Sequence, residues 1–225
     1  MKTENELISG NAGMARRSFL RYAGASVAGL GLMAAASSCH KDHVVPSTGA
    51  ISVGSGDTGI LNYAYALEQL EAAFYTQVML TPYSGMTTVE ATFLTDIRDH
   101  EVAHREFFKA ALGSGAIQAL TPDFSAIDFT SRTAVLGAAK TFEDLGVTAY
   151  DGVGYKIQNA TYLSLAGAIV SVEARHAALI DNLLGLSFVD SQIDSNGINL
   201  SNTPTTVAAA ANTYLKTKIS VSGIS

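Results

Sequence analysis

From residue 57 onward, apolar residues recur with the 3.6-residue period of a buried helix face, not with the two-residue period of a strand. Leu61, Ala64, Tyr65, Ala72, Tyr75 and Met79 share one such stripe. Asp57 or Thr58 stands ahead of them as the N-cap of a helix running to about Leu80. Thr81-Pro82-Tyr83-Ser84-Gly85 breaks that helix, and Thr87 or Thr88 caps a second one, to about Leu112, stopped by Gly113-Ser114-Gly115. A third is predicted from about Ser131 to Tyr150, after which Asp151-Gly152-Val153-Gly154 loosens the chain. A fourth runs from about Asn159 to Leu184, with Gly185 as its stop. After an Asn/Ser/Asp-rich loop, Thr205 to Lys216 forms a short, alanine-rich fifth. The connection through Pro122 to Thr130 carries Phe124, Ile127 and Phe129, and its length suits a crossover between parallel second and third helices. No strand pattern, heptad array or repeat of fixed period is visible. The expected fold is all-α: a four-helix bundle with a long crossover and a short C-terminal helix.

Polar residues interrupt the apolar stripes at a few places, and these carry the chemistry. The second helix contains Glu101-Val102-Ala103-His104, and the fourth contains Glu173-Ala174-Arg175-His176. Residues three apart on a helix project from one face, so a carboxylate and an imidazole there can hold one metal ion together. Chance predicts roughly 0.2 such pairs from this number of Glu and His residues, which makes two in helical register informative. Ile97 and Phe108 lie on the stripe of Glu101, and Ile169 and Ile180 on that of Glu173, so both pairs face the core. Glu68 interrupts the stripe of the first helix. Glu143 interrupts that of the third, among Leu136, Ala139, Gly146, Val147 and Tyr150. The order of a buried Glu followed by Glu-x-x-His thus occurs twice. An ionised Glu in a core is costly unless paired or metal-bound. Four carboxylates and two imidazoles, with no buried basic residues to match, point to two cations.

Two ambiguities stand at this level. Glu71, one turn from Glu68, is an alternative ligand on the first helix, while Glu90 and Glu106 are expected to face solvent. His100-Glu101-Val102-Ala103-His104 also reads as H-E-x-x-H, the zinc-protease helix in which two His bind the ion and Glu101 is the general base. That reading leaves the second Glu-x-x-His and Glu143 without a role. Otherwise His100 is exposed or supports a ligand from behind.

Composition narrows the function. The chain has 225 residues, 48% hydrophobic, enough for one domain with a core. Net charge is −6, and −8 once the first 38 residues are set aside. An acidic body without a Lys/Arg cluster argues against nucleic acid or an anionic membrane surface as partner. No apolar run after residue 40 is long enough to span a bilayer. The single Cys excludes an intrachain disulfide framework and Cys-based metal knuckles.

The N-terminus reads as an address. Ala15-Arg16-Arg17-Ser18-Phe19-Leu20-Arg21 resembles a twin-arginine export signal, followed by a weakly apolar Gly/Ala-rich stretch from Tyr22 to Ala36. Ala36-Ser37-Ser38-Cys39 then resembles a lipoprotein signal, with Cys39 as the lipidated residue, although Ala36 stands where Leu is usual. Ordinary cleavage nearby is the alternative. The expected organisation is an export signal over 1–39, a tether over 40–56, the bundle over 57–185, and a C-terminal loop and short helix over 186–225. The expected location is the periplasm or cell envelope, with a lipid anchor if Cys39 is modified.

The strings Leu67-Glu68-Gln69-Leu70-Glu71-Ala72-Ala73-Phe74-Tyr75, Asp99-His100-Glu101-Val102-Ala103-His104 and Ser171-Val172-Glu173-Ala174-Arg175-His176 resemble those of the ferritin-like superfamily. The likeness is closer to its exported, desiccation-related members, and it covers roughly residues 57–185. It implies a di-iron or di-manganese site in a four-helix bundle. Glu68 and Glu143 would be terminal ligands, Glu101 and Glu173 bridging ones, and His104 and His176 would each serve one metal. Tyr75, seven residues after Glu68, matches a tyrosine often found beside such sites; core packing is its alternative role. The resemblance implies activity towards O₂ or peroxide, or oxidation of ferrous iron, with a non-catalytic metal-binding protein as the alternative. The absence of Cys-x-x-Cys leaves no place for a rubredoxin-type iron.

Overall fold

The computed structural model describes residues 49–189 and 192–225. The predicted export signal, Cys39 and most of the predicted tether lie outside them. Four long helices form the body: α1 (Gly56–Leu80), α2 (Thr88–Leu112), α3 (Arg132–Val153) and α4 (Ala160–Leu184). A short α5 (Pro204–Ala211) follows. α1 packs mainly on α2 and α3 mainly on α4.

Local chemistry sets the helix ends. Thr87 and Glu90 form a reciprocal capping box at the start of α2, each side chain bonded to the other's backbone N–H. The Ser131 hydroxyl accepts from Ala134 N at the start of α3, and the Asn159 side chain accepts from Thr161 N and Tyr162 N at the start of α4. The spacing predicts Asp57 or Thr58 as the cap of α1, but Ser55 takes that position. The Asp57 carboxylate instead accepts from the backbone of Gln158 and Asn159, tying the entrance of α4 to that of α1. Gly185 ends α4 in the left-handed conformation.

The connection from α2 to α3 fixes the topology. Its backbone donates to Asn62 from Ile117 and to Gln69 from Leu120, and Phe124 and Phe129 then pack on Phe74. It therefore climbs the length of α1 and delivers α3 to the end where α2 began. There Arg132 binds Glu90 at 2.6 Å and the Leu183 carbonyl at 2.7 Å. So α2 runs parallel to α3, with α1 and α4 antiparallel to both, as the crossover requires. Glu90 does not face solvent: the capping box holds one carboxylate oxygen and Arg132 covers the other, leaving the residue 5% exposed.

Three other expectations shift. α3 does not loosen at Asp151 but runs on to Val153, which is buried. The C-terminal segment lies against this last turn, and a Cβ on Gly152 would sit 1.9 Å from the Asn202 carbonyl oxygen. The end of the predicted tether belongs to the fold. Ile51–Ser52 (β1) pairs in parallel with Ile219–Ser220 (β2), and Val53 is buried, so a two-residue ladder exists where no strand was expected. Finally, α4 passes a length-and-composition test for a membrane span, at a mean hydropathy of 1.4 over its best window. It nonetheless turns Glu173 and His176 into the bundle and packs on α3.

The tail contact gives a paired test. Gly152→Ala should lose about 1–3 kcal/mol by overpacking against backbone. Gly137→Ala, on an exposed stretch of α3 with nothing near the added carbon, should gain about 0.5–1 kcal/mol in chemical denaturation.

Candidate metal centre

Each of the four long helices delivers a fully buried carboxylate to the middle of the bundle: Glu68 from α1, Glu101 from α2, Glu143 from α3 and Glu173 from α4. Helical spacing brings His104 beside Glu101 and His176 beside Glu173. The resulting donors form two overlapping sets. Glu68, Glu101, His104 and Glu173 make one, and Glu101, Glu143, Glu173 and His176 make the other, with the donor atoms of each within 4.8 Å of one another. Glu101 and Glu173 belong to both. His104 Nδ1 lies 2.8 Å from Glu173 and 3.4 Å from Glu68, while His176 Nδ1 lies 2.8 Å from Glu101 and 3.5 Å from Glu143. All six predicted residues therefore meet in one place.

The two-fold echo in the sequence is a two-fold arrangement in space. Tyr75 follows Glu68 by seven residues but donates its hydroxyl to Glu143 across the bundle. Tyr150 follows Glu143 by seven and donates to Glu68 at 2.5 Å. Sequence reading singled out Tyr75 and took Tyr150 as core filling; the signal that pairs them is the shared spacing. Glu71 is buried but joins neither donor set. It points at Gly146, its counterpart in the repeat, where a Cβ would lie 3.0 Å from Glu71 Oε1. One carboxylate at this position of the repeat has room only because the other position has no side chain.

His100 is exposed on the outer face of α2, in neither donor set. Its Nδ1 meets His176 Nε2 at 2.9 Å and the two rings stack at 15°. The protease constellation, with His100 and His104 on one ion, is not assembled. With His176 Nδ1 turned to the carboxylates and given to a metal, Nε2 carries the proton and donates it to His100. In the repeat the residue equivalent to His100 is Val172, so His104 has no such partner.

The donor atoms fit cations. Glu68 Oε2, Glu143 Oε2, both oxygens of Glu101 and of Glu173, and Nδ1 of both histidines are buried and face only one another, with no hydrogen bond to any group outside the cluster. Atoms of this kind are rarely left unsatisfied. Protonating both imidazoles would still leave four carboxylates facing two positive charges. Burial pushes the Glu68, Glu101 and Glu143 carboxyls up, Glu101 well above the usual range, and neighbouring carboxylates add to it. Burial acts the same way on Glu173, but the two imidazoles outweigh it and hold that carboxyl down to about 2. Burial pushes His104 down, and Glu101, Glu173 and Glu68 outweigh it, raising the imidazole to about 12; His176 is raised in the same manner. Without metal, protonated imidazoles stand where cations would, and metal binding must expel those protons.

A family model described as a ferritin-like domain matches residues 56–186. The chain belongs to the ferritin-like domain family. That match spans all four long helices and hence every donor named above. A search of curated proteins found no match.

In this ferritin-like domain, the donor set of four carboxylates and two imidazoles, without sulfur, suits hard, oxygen-loving cations better than soft metals. The asymmetry at His100 is measurable. His100→Ala should weaken one of two metal-binding steps by roughly 10–100-fold and leave the other unchanged, with partial recovery in His100→Gln. Calorimetric metal titration reads this, and equal weakening of both steps would contradict it.

Proposed function

We propose that the protein is an exported, envelope-located ferritin-like protein with a two-ion iron or manganese centre that reacts with O₂ or peroxide, or oxidises ferrous iron. The observation that carries this reading is the set of eight buried donor atoms, drawn from four helices, that converge on one another and make no hydrogen bond outside the cluster. Such a pair of ions, when bound, supplies electron-transfer and oxygen chemistry that side chains lack.

The chain's own residues supply the frame. Glu101 and Glu173 lie within reach of both ions, Glu68 and His104 serve one side, and Glu143 and His176 serve the other. Tyr150 and Tyr75 hold the outer oxygens of Glu68 and Glu143. Burial, reinforced by those carboxylates, pushes both phenols well above their ordinary range, so they remain donors. Tyr75 and Tyr150 are accordingly the side chains beside the centre that a redox turnover would draw on. Export by a twin-arginine route fits such a protein, because that route carries folded chains and lets the metal be loaded first. Lipidation at Cys39 would then anchor the domain at a membrane, facing external oxidants.

The natively exported protein should contain two ions per chain and should consume peroxide or O₂, or oxidise ferrous iron, faster than the same concentration of free metal. Turnover no faster than free metal would leave a non-catalytic metal-binding protein. Glu101→Ala combined with Glu173→Ala should abolish stoichiometric metal binding while helicity by circular dichroism persists. Undiminished metal content in that variant would refute the site.

A further inference from the structure

The two-fold repeat gives the bundle two side seams, and they are finished differently. Phe74 of α1 and Phe142 of α3 meet at 4.9 Å across one seam. Phe124 of the crossover and Tyr214 of the C-terminal segment pack over them and close it. Across the other seam, α2 meets α4 through His100 on His176 and His104 on Glu173. Its outer side stays open, with His100, Ala103 and Ala168 exposed.

Helical spacing lines this open seam with two stripes. Asp96, Ala103 and Phe107 share one on α2, and their counterparts in the repeat, Ala168, Arg175 and Leu179, share the other on α4. All six are exposed or half-buried. α4 has no charged residue from Ala160 to Val172. Its most apolar window is only 22% buried, whereas a helix of that hydropathy inside a bundle would be mostly covered.

Charge and size say what the cover is. Each stripe carries one charge, of opposite sign. Asp96 has no ion pair among the described residues, while Asp99 and Glu106 are taken by Arg98 and Arg105 on their own helix. Arg175 turns back to the Ser171 carbonyl at 2.9 Å and meets no carboxylate. Because α2 and α4 are antiparallel, Asp96 and Arg175 are displaced from the centre towards the same end, to within about 5 Å of one level. A two-fold axis running along the seam lays α2 on the partner's α4 without changing that level. Each Asp96 then faces the partner's Arg175, twice per dimer. Two 25-residue helices side by side present a face of roughly 37 by 20 Å, close to the ~800 Å² per partner of a stable complex. A lipid surface suits the seam less well, since it offers no cluster of Lys or Arg on an acidic body.

We propose that the α2–α4 seam is the interface of a two-fold dimer of this chain, held by its apolar stripes and by Asp96 against the partner's Arg175. The proposal stands apart from the redox reading and needs no turnover.

Sedimentation velocity of the full chain should show a dimer at micromolar concentration. Asp96→Arg or Arg175→Asp alone sets like charges together twice and should weaken dimerisation at least roughly tenfold. The double variant Asp96→Arg/Arg175→Asp should recover most of the parent's affinity. Ala103→Glu, which puts a charge into the apolar stripe, should leave monomers. These positions are exposed, so helicity by circular dichroism should persist, and the charge swap still decides the matter if one single variant misfolds. A parent chain that stays monomeric, a dimer that neither single variant weakens, or a double variant no tighter than the singles would overturn the proposal. So would a monomer that co-sediments with phosphatidylcholine vesicles, which would give the seam to a lipid surface.

Discussion

Everything in the interior of this bundle is arranged around the cost of burying carboxylates. Four helices each place an acid at the same level of an apolar core, and like charges in a low-dielectric interior repel strongly. The cost is tolerable only with compensating positive charge, and the interior offers two imidazoles for four ligand carboxylates and Glu71 besides. Protons can fill part of the deficit, as the raised His104 and Glu101 show. Multivalent ions would fill it more completely, and would also take up the donor atoms that make no hydrogen bond outside the cluster.

The surrounding fold is what makes that arrangement rigid. The crossover lies along α1 and sets α2 and α3 parallel, which places the two Glu-x-x-His helices, α2 and α4, antiparallel with their pairs facing. Each half of the repeat then supplies the tyrosine that orients the other half's terminal carboxylate, so neither pair of helices completes a donor set alone. At one end, Glu90 and Arg132 clamp the starts of α2 and α3 to the last turn of α4. At the other, Asp57 joins the starts of α1 and α4. The symmetry is broken where Gly146 yields space to Glu71 and where His100 stands in place of Val172.

The helices were legible because their stripes are long and their caps local: Thr87 with Glu90, Ser131 and Asn159 all act within one turn. The residues of the candidate site were legible because i and i+3 spacing on an apolar face is a local signal. What escaped depended on distant partners. Tyr150 looks like any core aromatic until Glu68 is brought to it across the bundle. Thr87-x-x-Glu90 is a readable capping box, so half of the burial of Glu90 was available from sequence, but its other half comes from Arg132, forty-two residues away. The β1–β2 pairing joins two residues near one end of the described chain to two near the other, and no periodicity announces a strand that short. Glu68 and Glu71 both sit near the buried face of α1; Tyr150 and His104 receive Glu68, while Glu71 turns to the empty position at Gly146.

Metal quantitation combined with metal-edge X-ray absorption on protein purified with its native metal content tests the central claim most directly. The account predicts two iron or manganese ions per chain, each bound by oxygen donors and one imidazole, with no sulfur and with a second metal in the next shell. A single ion, a site with two or more imidazoles on one metal, or a stoichiometry near zero with the fold intact would contradict it.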